Sequence, residues 1–188
     1  MKNLVTDILK KETAQYHDDI EQRLESNKLF DGTFTQDNYY KMLVVNHQFI
    51  QSLEPEIKAL LTVSDLAFLS KINLNKLALL EKDLHELNLP INPTEKLNLL
   101  ANREEALGAL YVIEGSMLGG MVIAKQLKKY PDLEQTGFNY FGHYGQDIGP
   151  IWKSFVAYLN ENLITEEQQQ QTLNGAIKAY QYLIDLAK

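Results

Sequence analysis

The 188-residue chain predicts an all-α fold, a compact single-domain helical bundle over residues 1–188, on three observations. Long stretches repeat apolar residues at intervals of three and four, the spacing of one helix face. No segment alternates polar and apolar residues for long enough to read as a strand. Proline and glycine gather at a few points that cut the sequence into rods. A chain of this length buries a sizeable core and exceeds what a minimal four-helix bundle needs, so two long central helices with shorter ones around them are expected.

The first helix is expected from Asn3 to Glu25, where Leu9, Thr13, Tyr16, His17, Ile20 and Leu24 share one face. Asp31-Gly32 reads as a turn, and a second helix follows from Gln36 to Leu61, bent or interrupted by Pro55. A third helical run covers Ser64 to Leu87. The stretch Asn88-Leu89-Pro90-Ile91-Asn92-Pro93 is a linker, because each proline lacks an amide donor and restricts the residue before it. Thr94 is then placed to cap the next long helix. Beyond Tyr130-Pro131, the segment from Thr136 to Gly145 mixes small and aromatic residues without helical period and reads as an ordered loop. Gly149-Pro150 marks a helix start, with a helix over Ile151–Asn162. Thr165 and Gln168 form the signature of a capping box opening a last helix that runs nearly to Lys188.

The most unusual stretch is LGALYVIEGSMLGGMVIAKQLKK, Leu107 to Lys129, which keeps helical period for about six turns. Gly108, Gly115, Gly119 and Gly120 lie inside it, each costing roughly 1 kcal/mol relative to alanine in a helix interior. Close approach of another body to bare backbone would compensate. Gly115 and Gly119 share one face with Gly120 beside them, which suggests a helix bent over a flat ligand.

Composition removes several chemistries. The chain has no cysteine, so disulfides, thiolate metal sites, iron–sulfur clusters and cysteine nucleophiles are excluded, and any metal must be held by histidine or oxygen. A formal net charge of −7 without a basic stripe argues against nucleic-acid binding. No run reads as a membrane span or a secretory signal, so no membrane association and a cytoplasmic location are expected.

Among ionisable residues, His17 stands out because it lies on a core-facing stripe. Such a histidine is more often a packed core residue than a ligand. Glu21, one turn on, can accept a hydrogen bond from one imidazole nitrogen, directly or through water, and leave the other free for a metal. The competing reading is an ordinary contact on a helix surface. His47 lies in an apolar run, His85 among acidic residues, and His143 in the aromatic loop. No Glu-x-x-His occurs, which counts against a carboxylate-bridged di-iron bundle. Glu114 is a minor candidate for a catalytic acid. Neither a phosphate-binding loop nor a nucleophile elbow is present around Gly115.

Taken together, these segments resemble heme oxygenase, in particular the bacterial branch that includes bacteriophytochrome-associated members. Leu9-Lys10-Lys11-Glu12-Thr13-Ala14-Gln15-Tyr16-His17, with Glu21 a turn later, is similar to that family's proximal segment. Leu107 to Gly120 is similar to its distal helix, and Gly142-His143-Tyr144-Gly145 followed by Gly149-Pro150-Ile151-Trp152 to a later bacterial pattern. The resemblance implies heme held between a proximal N-terminal helix and a glycine-bent distal helix. It makes His17 the proximal ligand of the heme iron and Glu21 its orienting partner. Gly115, Ser116 and Gly119 become the catalytic distal segment, and Lys10, Tyr111, Met117 and Gly120 become further heme contacts, Lys10 and Tyr111 toward the heme carboxylates.

The implied reaction is oxidative opening of heme to biliverdin, carbon monoxide and ferrous iron. It uses O2 as co-substrate and electrons from an external donor such as a ferredoxin, flavodoxin or reductase; no flavin or non-heme metal is expected. The protein's part is to fix the ring, restrict the distal side and keep an ordered water network that delivers protons. The chain departs from the family at Ser116, where many members have an aspartate that organises this water. That departure motivates an alternative, a non-catalytic heme-binding protein for storage, delivery or sensing. A bundle of the same type adapted to another small molecule is the third reading.

Overall fold

The computed structural model describes residues 4–94, 97–130 and 138–188, and among these it is built from helices with no strand. The expectations at Asn3, Pro131, Thr136 and Gly137 lie outside the described residues. The predicted first helix is two: α1 (Val5–Glu12) and α2 (Ala14–Arg23), followed by the short α3 (Lys28–Asp31). The break is Thr13, whose backbone N–H and side-chain hydroxyl both donate to the Leu9 carbonyl, at 3.0 and 2.8 Å. A hydroxyl bonding back one turn competes with the regular ladder and bends a helix. The consequence is functional, because it gives the His17-bearing segment a direction of its own.

Helix α4 (Gln36–Leu60) opens with a capping box between Thr35 and Asn38 and runs through Pro55 without ending. The run expected over Ser64–Leu87 divides into α5 (Val63–Phe68), a 3-10 turn at Leu69–Lys71, and α6 (Lys76–Glu86). Asn73 makes the division, its side-chain oxygen accepting the Asn75 amide at 2.8 Å, a local bond that replaces helical pairing. The glycine helix α7 (Arg103–Leu127) is capped by Asn102, which accepts from the Glu105 amide. Thr94 does not cap it. Instead Thr94 ties the linker to α4, its amide donating to Gln51 and its hydroxyl accepting from Ser52. Helix α8 (Ile148–Asn162) starts three residues before the expected Ile151, so Pro150 sits within its first turn. Helix α9 (Glu166–Leu186) carries the predicted capping box at Thr165 and Gln168.

The long helices α7 and α9 lie against each other at glycine contacts. A Cβ at Gly108 would collide with the Thr172 carbonyl, and one at Gly175 with the Glu105 backbone. Two reciprocal glycines therefore let the two backbones touch, and Lys178 on α9 closes the contact by donating to Glu105 at 2.7 Å. Contrary to the sequence expectation, α7 is long and apolar enough to cross a membrane by length and composition. Its burial in the bundle accounts for that composition, since 56% of its most apolar window is enclosed.

Two buried acids fix the surrounding elements. Asp83, on α6, is fully buried and accepts the backbone amides of Asn139 and Tyr140, at 2.7 and 2.8 Å, which holds the aromatic loop. Asp65, on α5, receives Arg103 through two nitrogens together with the Tyr158 and Thr62 hydroxyls, joining α5, α7 and α8.

Candidate functional site

A cleft of about 270 Å³ opens among α2, α4, α7 and α9. One wall is α2, with His17, Ile20, Glu21 and Leu24; opposite lie Val112, Gly115, Ser116, Gly119 and Ile123 of α7. Met42 and Asn46 of α4, Tyr180 and Leu183 of α9, and Phe30 and Phe141 also line it. The lining is mostly apolar with a few convergent polar groups, as expected of a small-molecule site. Two wider depressions, each about 490 Å³, carry no histidine.

The break at Thr13 and the turn after Arg23 leave His17 on a short helix at the cleft mouth, its side chain about half exposed at 53%. Its imidazole is thus accessible to a ligand. The Nε2 atom lies 3.8 Å from Oε1 of Glu21. That separation is too long for a direct hydrogen bond. Among the described residues, His17, Asp18 and Glu21 are the one group of three metal-type ligands whose atoms come within 4.8 Å of one another. All three are exposed.

Across the cleft the α7 glycines separate by role. A Cβ at Gly119 would meet nothing within 4 Å, so the space beside it is open. At Gly115 it would reach Trp152 at 3.5 Å, ordinary contact, while the Gly115 backbone faces the cleft. Gly108 and Gly120 answer to packing: a Cβ at Gly120 would come 2.7 Å from the Phe141 carbonyl. Close approach of protein backbone therefore explains Gly108 and Gly120, whereas Gly115 and Gly119 have room beside them. The Ser116 hydroxyl donates to the Ile113 carbonyl at 2.7 Å, so its oxygen can only accept, and the buried Tyr140 hydroxyl lies beside it.

The remaining sequence candidates lie elsewhere. Met117 is buried in the core and does not line the cleft, and Gly120 is buried under the aromatic loop, so neither is a cleft contact. Periodicity had grouped Gly120 with Gly115 and Gly119, but the loop takes its side of the helix. Lys10 is exposed on α1, before the break. Tyr111 is half-buried beside Trp152, ring centroids 5.2 Å apart, and burial raises its hydroxyl pKa. Neither lines the cleft. Glu114 faces away from solvent into a buried network: Lys76 and Tyr144 both donate to its carboxylate, and Lys76 also donates to the Asn73 carbonyl. His47 is buried on α4, where desolvation lowers its pKa, and its Nε2 has no partner. His143 packs on Tyr144, centroids 4.6 Å apart, and burial lowers its pKa also.

Sequence reasoning missed Asn46, Met42 and Tyr180. Only Asn46 left a signal, being an amide within the apolar stripe of α4.

Comparison with known proteins bears on the family and the fold. The heme oxygenase family profile matches residues 3–188. A curated heme oxygenase of Xanthomonas campestris pv. campestris is 30% identical over 150 residues, covering 77% of this chain and 86% of that protein. Heme oxygenase from Neisseria meningitidis, solved with NO and CO bound, superposes with a TM-score of 0.77 at 24% identity, over 98% of this chain and 90% of that one. Heme oxygenase from Leptospira interrogans gives a TM-score of 0.79 at 17% identity, over 100% and 98%. These two structural likenesses speak to the fold alone. The profile, which spans nearly the whole sequence, and the curated relative carry the assignment further: the chain belongs to the heme oxygenase family.

Proposed function

We infer that this protein is a heme-degrading monooxygenase that opens heme to biliverdin, carbon monoxide and ferrous iron. The observation that carries the site is the pairing of an accessible imidazole, His17, with the bare backbone of Gly115 and Gly119 across one apolar cleft. The two walls suit the faces of a flat apolar ligand with a metal at its centre, of which a cleft of about 270 Å³ would enclose only part. The open space beside Gly119 fits its face, and the exposed imidazole offers a nitrogen to the metal. Bound heme supplies the redox chemistry with O2, being both substrate and cofactor.

The chain's own residues bind, orient and deliver protons. In this reading His17 would hold the heme iron, and Glu21, 3.8 Å from its Nε2, would orient the imidazole. Ile20, Leu24, Val112 and Leu183 exclude bulk water from the ring. Gly115 and Gly119 keep the distal wall free of side chains. Ser116, as an acceptor, would hold a water on the wall of the cleft. Electrons come from a separate donor of the ferredoxin, flavodoxin or reductase kind. Membership of an enzyme family disfavours the storage or sensing alternative.

Titration of the purified protein with hemin, followed by a reductant under oxygen, tests the proposal. One hemin should bind per chain, and its Soret band should decay as biliverdin absorption appears. Binding without that decay would return the storage alternative.

A further inference from the structure

We propose that Asn46 is the second polar anchor of the distal face, its amide acting with the Ser116 hydroxyl to position the water that delivers protons during heme opening. The inference rests on the proposed function and adds a positioning residue to it. Asn46 lies on α4 within a buried apolar stripe that includes Met42, Leu43, Phe49, Ile50 and Leu53. It is only 8% exposed, yet its side chain lines the cleft that Ser116 also lines. An amide in such a stripe is costly to bury unless its hydrogen bonds are met. One of them is met, by donation from Nδ2 to the Met42 carbonyl at 2.8 Å. A primary amide has a second N–H and a carbonyl with two lone pairs. Among the described residues no hydrogen bond within the chain uses these, and neither atom of the amide is sealed from the cleft without a partner.

The two residues are chemically complementary. Ser116 has committed its only proton to Ile113 and can accept but not donate. Asn46 retains one donor and an acceptor. A water between them gives a proton to Ser116 and takes one from Asn46, which orients its remaining proton and lone pair. An aspartate would supply only acceptors; serine with asparagine supplies both polarities from two helices. The bond to Met42 fixes the amide's rotation, so the unused N–H is presented in one direction. This pairing answers why the chain dispenses with an acid after Gly115 and why α4 carries an amide where a leucine would pack.

The test uses the full chain with hemin, in wild type, Asn46→Leu and Asn46→Ala, the alanine variant removing the amide without adding bulk should the leucine variant fold poorly. Each is titrated with hemin, reduced under carbon monoxide, and assayed for biliverdin formation. The C–O stretching frequency falls when a hydrogen-bond donor points at the bound gas, so loss of Asn46 should raise it. Biliverdin kcat should fall roughly 100-fold, the lower end of what a positioned proton-transfer group contributes, with KM for hemin unchanged. An unchanged stretch and kcat overturn the inference, as does a loss expressed wholly in hemin affinity, which makes Asn46 a packing residue. A wild type that leaves hemin unbound overturns the proposed function itself, and this inference with it.

Discussion

Gly119→Ala separates the two causes of the α7 glycines in one pair of experiments. The added Cβ meets nothing within 4 Å, and the residue is interior to a continuous helix. Helix propensity then favours alanine by about 1 kcal/mol. For a domain of this size that raises Tm by roughly 2–4 °C. Gly119 lines the cleft, so the same methyl is added to the wall where the ring is proposed to lie. Overpacking a fitted site by one methyl costs about 1–3 kcal/mol, so hemin should bind roughly 5- to 150-fold more weakly. The control is Gly108→Ala, whose methyl collides with the Thr172 carbonyl at the α7–α9 contact, far from any ligand role. It should lower Tm, and folded protein should keep its hemin affinity. Differential scanning calorimetry and hemin titration read both quantities. Gly119→Ala with raised Tm and undiminished hemin affinity would refute the cleft as the heme site, because space left open for a ligand cannot be filled at no cost to its binding.

Three further outcomes follow from the same geometry. His17→Ala should leave Tm nearly unchanged, since the side chain is 53% exposed and surface changes usually stay within about 0.5 kcal/mol; the axial-ligand spectrum should be lost and return on adding free imidazole. Lys76→Met leaves the Glu114 carboxylate buried without its cation, the pair being only 3% and 2% exposed. That should cost about 3–5 kcal/mol, seen in urea melts, and the double change with Glu114→Leu should recover most of it. For Asp65, burial alone would raise the carboxyl pKa, but hydrogen bonds from Arg103, Thr62 and Tyr158 outweigh it and hold the group well below the usual carboxylate range. Its contribution is therefore complete above the unfolded value of about 4 and is lost as pH falls below that toward the folded value. Asp65→Asn should be less stable than wild type at pH 7, with the difference narrowing below about pH 4 in pH-dependent melts.

What the sequence disclosed of this fold divides along a physical line between local and long-range causes. The capping box at Thr165, the start of α4 at Gln36 and the existence of every long helix depend on residues within a turn or two of each other, and these were legible. The break at Thr13 was local too, but a threonine on an apolar face reads equally as packing or as a back-bond to Leu9. The start of α7 was misplaced at Thr94 because two adequate capping residues, Thr94 and Asn102, precede the glycine run. The choice between them is made by Gln51 and Ser52 of α4, more than forty residues away. Glycine shows the limit most sharply. Its spacing says that bare backbone is needed, never what approaches it, and in α7 the answers are the Thr172 carbonyl at one position, the Phe141 carbonyl at another and an open cleft at a third. The site was legible in the same measure: a histidine and a glycine pair announce themselves by being out of place on their helix faces. Asn46 is out of place in the same way, among Met42, Phe49 and Ile50, but an amide has no single chemistry to suggest. Its meaning depends on what it shares a cleft with, which only the packing of α4 against α7 decides.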